Sequence, residues 1–310
     1  MTPVRTVAFI GLGQMGRLMS ANLERAGFVL RTFDLNGSGN CRSPAQAAKD
    51  ADLLITMLPD GKAVRRAVIA ALPGLAPGSI VVDMSSSDPF ATRRLQGELA
   101  KKKVALLDAP VSGSKTGARD ATLAIMAGGD AAALERARPV LEKLGKTIFH
   151  MGALGAGHAT KALNNYVGAS GTIAAFHALL IGQAFGLDRK HLNDVFNAST
   201  GYNSTTQRKI PLQILTGAYA SGFSAALMAK DVGIAREISR RVGVRNSYLE
   251  ETLRIWRGAL RRLPVGADHS EMYRFLEGST PPSRAAASRR AARRRRPRRA
   301  SGSARRRARR

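Results

Sequence analysis

The stretch TVAFIGLGQMG, residues 6–16, sets a four-residue apolar run directly before three glycines, Gly11, Gly13 and Gly16, in G-x-G-x-x-G spacing. TVAFIG reads as a buried strand. MGRLMSANLERAG, residues 15–27, reads as a helix ending at Gly27, and VLRTFD, residues 29–34, as a second strand. In a strand–turn–helix–strand unit each glycine has its own task. The first permits the tight turn, the second lets a pyrophosphate approach the backbone, and the third allows close helix packing. Leu12 and Met15 complete the turn, and the helix amides that follow face the phosphates.

Outward from this unit the pattern repeats. ADLLITMLP (51–59), SIVVDMS (79–85), VALLDAPVSG (104–113) and TLAIMAGG (122–129) are strand-like, and GKAVRRAVIAAL (61–72) is helical. Short apolar runs alternating with helical periods predict an α/β, doubly wound parallel-sheet Rossmann domain over residues 1–160. Asp34, at the end of the second strand, can accept hydrogen bonds from ribose hydroxyls and would repel a 2′-phosphate, so NAD is favoured. Arg31 and Arg42 leave NADP possible, and the ordinary alternative for Asp34 is a turn cap before LNGSGN.

Beyond about residue 158 the strand signals stop, which predicts an all-α C-terminal domain over residues 161–278. HATKALNNYVGASGTIAAFHALLIGQAFGL could form one helix from His158 to Gly186, with the apolar length of a membrane span. His177, Gln183 and two asparagines interrupt it, so a buried helix at a domain or subunit contact is favoured over a membrane anchor. Within it Lys161 and Asn165, at i and i+4, leave the same face. A lysine there usually runs its stem along the helix and keeps its amine in water. The flexible GALGAGH before it and the neighbouring Asn165 favour a chemical role instead.

The charge of +27 points toward nucleic acid until it is located. Residues 279–310 carry fourteen arginines and no acid, so removing those charges leaves +13 for the rest. Without hydrophobic periodicity this tail is expected to be disordered. It reads as a basic arm, a solvated extension or a shifted reading frame, and the absence of lysine weighs against the first. The single cysteine, Cys41, excludes an internal disulfide and a cysteine zinc site and suits the cytoplasm. The N-terminal apolar run is too short for a signal peptide. No histidine pair has metal-site spacing; His158 is retained as a possible site-lining residue.

FIGLGQMG, DAPVSGS, GAGHATKALNN and MAKDVGIA resemble, in order and spacing, the four signatures of the β-hydroxyacid dehydrogenases, the group containing 3-hydroxyisobutyrate dehydrogenase and tartronate semialdehyde reductase. The likeness runs from about residue 4 to about residue 277. It implies that Lys161 is catalytic and that Asn165 holds the substrate beside it. It further implies that Ser112 and Gly113 bind the substrate carboxylate, that Lys230 lies near cofactor and substrate, and that Leu58 and Pro59 touch the cofactor. Ser114 departs from the glycine usual at its position, and Ser86 stands where a threonine often approaches the nicotinamide.

The implied reaction is hydride transfer between NAD and a small hydroxy acid or its semialdehyde, by a homo-oligomer. A lysine of lowered pKa fits the proton transfer. Alternatives are an imine reductase of the same fold, which typically lacks the lysine, a basic nucleic-acid-binding protein, and a catalytically dead scaffold. For Lys230 and Asp231 the ordinary alternative is a surface salt bridge.

Overall fold

A computed structural model describes residues 4–279, so the arginine-rich tail lies, apart from Ser279, outside the described residues. The first half alternates β1 (Thr6–Ile10), α1 (Gly16–Arg25), β2 (Val29–Phe33), α2 (Pro44–Ala48), β3 (Leu53–Thr56), α3 (Gly61–Ala71), β4 (Ile80–Asp83), α4 (Pro89–Ala100) and β5 (Ala105–Asp108). The five strands form a parallel sheet in the order β2-β1-β3-β4-β5. β3 and β4 are buried along their whole length, as strands covered on both faces must be. Neighbouring residues feed opposite layers. Val7, Phe9, Ile55 and Val82 join the core on one face, while Ala8, Ile10, Leu54 and Val81 join the core on the other.

A smaller sheet follows, which the sequence did not reveal as separate. It comprises β6 (Val111–Ser112), β7 (Leu123–Ala127) and β8 (Gly145–His150), interleaved with α5 (Ser114–Arg119) and α6 (Ala131–Leu141). β6 runs antiparallel to β7, and β7 parallel to β8. An antiparallel bridge between Asp108 and Gly128 joins the two sheets. Aspartate caps recur at the helix starts: Asp60, Asp88 and Asp130 each accept a backbone N–H of α3, α4 and α6. Such a cap contributes about 0.5–2 kcal/mol.

The rest is helical: α7 (Ala156–Phe185), α8 (Arg189–Ala198), a π-helical stretch at Thr205–Ile214, α9 (Ala225–Arg241), α10 (Ser247–Leu260) and α11 (Met272–Ser279). Their core gathers Phe176, Leu179, Val232, Trp256 and Tyr273. Gly186, at φ +107°, ends α7 in a left-handed cap. By length and composition α7 could cross a membrane, yet half of its apolar window is buried within the protein. Its opposite side exposes Leu163, Val167, Ile181 and Phe185 in one stripe. α7 begins at Ala156, so the expected 160/161 boundary falls inside its first two turns.

Candidate active site

The turn after β1 is tight for reasons local to its glycines. Gly11 has φ +102°, and a Cβ on it would stand 2.3 Å from the Met57 carbonyl oxygen. A Cβ on Gly16 would stand 1.8 Å from the Gly11 carbonyl oxygen. Gly13 differs, since nothing lies within 4 Å of its Cβ position. Its backbone faces open space, and α1, unlike α3, α4 and α6, starts without a side-chain cap. A bare turn before uncapped helix amides is what a pyrophosphate requires, so these residues fit a dinucleotide. Leu12 and Met15 pack from the turn against the core beneath β1.

Asp34 follows β2. Its Oδ2 accepts the Leu12 N–H at 2.6 Å and its Oδ1 the Asn36 N–H at 3.0 Å. One oxygen thus caps the next turn, and the other is tied to the glycine loop. The carboxylate is held at the mouth of that loop. Arg31 donates to the Lys49 carbonyl, and Arg42 is exposed. Past β3, the Leu58 N–H donates to Ser85 Oγ at 2.9 Å.

The start of α7 rests on a buried carboxylate. Asp108, at the end of β5, is fully buried; its Oδ1 accepts the Gly155 N–H at 2.7 Å and its Oδ2 the His158 N–H at 2.6 Å. It caps α7 from a distant strand. A Cβ on Gly157 would stand 2.1 Å from the Met126 carbonyl oxygen and 2.6 Å from that of Asp108, while Gly155 sits at φ +90°. The G-x-G before Lys161 is therefore where the helix presses on the ends of β5 and β7. His158 continues the contact, with Nδ1 3.0 Å from Thr92 Oγ1 and Nε2 3.4 Å from Asp83 Oδ2. Burial pushes the Asp108 carboxyl up from its ordinary range, while the charge of His158 and the backbone donors pull it down.

Lys161 lies one turn further along α7 and is 9 % exposed, with Asn165 beside it at 8 %. Among the described residues the Lys161 amine has no hydrogen-bond partner. Burial holds its pKa below the usual lysine value; the charge of Lys230 acts in the same direction and that of Asp231 opposes it. Asp231 is the hub of the cluster. It accepts Asn165 Nδ2 and Ser86 Oγ, each at 2.6 Å, and lies 3.3 Å from Lys230 Nζ. Lys230 also donates to the carbonyls of Ser86 at 2.5 Å and Pro59 at 3.1 Å, which ties α9 to the loops after β3 and β4.

Asn165, Lys230 and Ser86 thus meet on Asp231, whose charge reaches Lys161. The surface-salt-bridge alternative is corrected here, because Asp231 is 1 % exposed. The sequence offered Asp231 beside Lys230 and Asp108 at the head of DAPVSGS, but it did not show either carboxylate as a buried hub. Their available signal was a carboxylate inside an apolar segment, which must find compensating partners once buried.

Ser112 ends β6 and Gly113 follows at φ +142°. Ser114 takes φ +60°, a left-handed conformation that costs a non-glycine residue roughly 1 kcal/mol. That is the physical effect of a serine where glycine is usual. Among the described residues no hydrogen bond joins these three to Lys161 or Asn165. Their link to them is structural: β6 pairs with β7, against whose end the start of α7 packs. Among the described residues no group of His, Cys, Asp or Glu could hold a metal ion.

Comparison with known proteins agrees with this arrangement. Residues 6–152 match the family model for the NAD binding domain of 6-phosphogluconate dehydrogenase, and residues 155–276 that for NAD-binding of NADP-dependent 3-hydroxyisobutyrate dehydrogenase. An NAD-dependent L-serine dehydrogenase of Pseudomonas aeruginosa is 38% identical over 256 residues, covering 76% of this chain and 86% of the relative. A probable 3-hydroxyisobutyrate dehydrogenase of Mycobacterium tuberculosis is 39% identical over 254 residues, covering 77% and 86%. The solved structure of Mycobacterium tuberculosis 3-hydroxyisobutyrate dehydrogenase with L-serine superposes with a TM-score of 0.82 at 36% identity, over 88% of this chain and 99% of that one. Both halves of the chain therefore match, and the protein is an NAD(P)-binding enzyme that belongs to the β-hydroxyacid dehydrogenase family.

Proposed function

We propose that the enzyme interconverts the alcohol of a small 3-hydroxy acid and its semialdehyde, with Lys161 as general acid and base. The observation that carries this reading is the Lys161 amine: buried, without a hydrogen-bond partner among the described residues, and set beside Asn165 near the cofactor half of the chain. Oxidation removes a proton from the hydroxyl oxygen and a hydride from its carbon, and nicotinamide C4, when the cofactor is bound, carries the hydride. The neutral amine of Lys161 accepts the proton. In reduction its ammonium polarises the carbonyl and returns the proton to the alkoxide. Asn165, held by Asp231, orients the substrate oxygen, and Ser112, Gly113 and Ser114 take the carboxylate. Lys230 secures the loops ending in Pro59 and Ser86 and adds a second positive charge that favours the neutral amine.

NADH formation across 3-hydroxyisobutyrate, serine, glycerate and threonate tests the reading. Turnover of at least one, sensitive to loss of Lys161, is the expected result; silence with all four, under NAD and NADP alike, overturns it. The alternative of an imine reductase is disfavoured by Lys161 and by the L-serine and probable 3-hydroxyisobutyrate dehydrogenases among the relatives. The exposed apolar side chains of Leu163, Val167, Ile181 and Phe185 along one face of α7 support assembly with a second copy through that helix.

NAD is the cofactor proposed, through Asp34. Asp34→Asn keeps an oxygen for the Leu12 N–H but removes the charge that repels a 2′-phosphate. Its ratio of kcat/KM for NAD over NADP is expected to fall by about ten-fold or more, one such charge repulsion being worth at least 1.4 kcal/mol. An unchanged ratio would remove Asp34 from cofactor choice.

A further inference from the structure

His158, Lys161 and Asn165 are spaced three and four residues apart, so Lys161 stands between the other two on one face of α7. Each of its two neighbours is tied through a buried aspartate to the loop after β4. Asn165 reaches Asp231, which accepts Ser86 Oγ at 2.6 Å. His158 reaches Asp83, whose Oδ1 accepts the Ser85 N–H at 3.0 Å and Thr56 Oγ1 at 2.9 Å, and whose Oδ2 accepts Ser87 Oγ at 2.9 Å. Ser85, Ser86 and Ser87 are therefore gripped from both ends of the helical segment that carries Lys161.

The hydrogen bonds around the His158 ring determine its form. Thr92 Oγ1 gives its one hydrogen to the Asp88 carbonyl at 3.1 Å; 3.0 Å from His158 Nδ1 it can only accept, so Nδ1 carries a hydrogen. On the other side of the ring Nε2 lies 3.4 Å from Asp83 Oδ2, an ion-pair distance, and has no hydrogen-bond partner among the described residues. Asp83 already accepts from Thr56, Ser85 and Ser87, so a bare Nε2 would set a lone pair against an anion. A hydrogen on Nε2 turns that repulsion into attraction. Asp108 Oδ2 lies 3.8 Å from Nδ1, and both of its oxygens accept backbone N–H groups. Of the other charged groups here, Arg93 on α4 donates to the Leu154 carbonyl at 2.8 Å, and Lys161 stands a turn further along α7. Two buried carboxylates around one ring call for a cation between them.

We propose that His158 is an imidazolium held between Asp83 and Asp108, and that it is a positioning residue, fixing Lys161 against the Ser85–Ser87 loop. A neutral side chain at this position leaves both carboxylates uncompensated and frees the start of α7 from the end of β4. This rests on Lys161 as the proton carrier of the proposed reaction.

The full chain with 15N-labelled histidine tests the charge. Of the five histidines, His158 should show two ring N–H protons at pH 7, both exchanging slowly with water because the ring is buried. His269 is buried too, but burial and the charge of Lys209 push it down to about 4, so it should show at most one. A single N–H on the His158 ring overturns the proposal. Kinetics tests the positioning, with whichever of the four alcohols above has the highest kcat. His158→Gln and Asp83→Asn should each lower kcat by about ten-fold or more while leaving NAD affinity within about two-fold. Because both remove the same contact, the double variant should be no slower than the slower single one. Native kcat in His158→Gln overturns the proposal, as do losses that multiply in the double variant or NAD affinity that falls in step with kcat, the mark of a purely structural histidine. Should a variant not fold, the ring protons of the native protein decide alone. Native turnover in His158→Gln with none in Lys161→Met sinks only the His158 assignment. Full turnover in Lys161→Met removes the proposed function and this role with it.

Discussion

Lys161→Met is expected to lower kcat by about 10²- to 10⁴-fold, the range attributable to a positioned general acid or base, while leaving nucleotide affinity within about two-fold. Methionine fills the volume of the lysine stem without an amine, so the loss reports proton transfer rather than a cavity. The pH profile provides a second, independent reading. Oxidation needs the neutral amine, so its kcat/KM rises as pH rises through the Lys161 pKa. Reduction needs the ammonium and falls over the same interval. Because burial disfavours the charged form, and Lys230 adds to that against the pull of Asp231, this step lies below the ordinary lysine value of about 10.4. In Lys161→Met both steps should vanish. Steady-state kinetics in both directions, with nucleotide titration by fluorescence, measures all of this; full turnover in the variant removes Lys161 from the reaction.

Gly157→Ala is expected to cost about 100-fold in kcat although residue 157 carries no chemistry. The added Cβ would stand 2.1 Å from one strand carbonyl and 2.6 Å from another. Those oxygens belong to Met126 in β7 and Asp108 in β5, so they cannot swing aside as a flexible side chain would. The start of α7 must move by more than 1 Å and take Lys161 with it, and a displacement of that size is sufficient to lose two orders of magnitude. Gly233→Ala in α9 provides the contrast, because nothing lies within 4 Å of its Cβ and alanine is the better helix former by about 1 kcal/mol. Kinetics and thermal melts of the two variants decide the matter. A Gly157→Ala enzyme with native kcat would mean that the G-x-G before the lysine is not what positions it.

The parts legible in the sequence share a short range. The dinucleotide turn was readable because Gly11, Gly13 and Gly16 lie within six residues, and their conformational demands are met almost locally. The pairing of Lys161 with Asn165 was readable because helical geometry alone puts i and i+4 on one face. The buried strands declared themselves through runs such as Leu53–Thr56 and Ile80–Asp83. β6 and β8 did not: β6 has two residues, and β8 carries mostly exposed side chains, so neither leaves a strong apolar pattern. The π-helical stretch was hidden as well. Pro211 inside it has no N–H to give, and Thr205 and Lys209 find Thr172 of α7 across more than thirty residues.

Local order along the chain therefore sufficed for the cofactor fold, the helical second half and the lysine on its first long helix, because each depends on neighbours a few residues away. The environment that buries the lysine and lowers its pKa comes from packing. Asp108 meets the α7 start from 47 and 50 residues away, and Asp231 meets Asn165 and Ser86 across 66 and 145. Desolvation and charge pairing depend on which groups the folded chain stacks around a side chain, and no periodicity in the residues adjacent to Lys161, Asp231 or Lys209 encodes that.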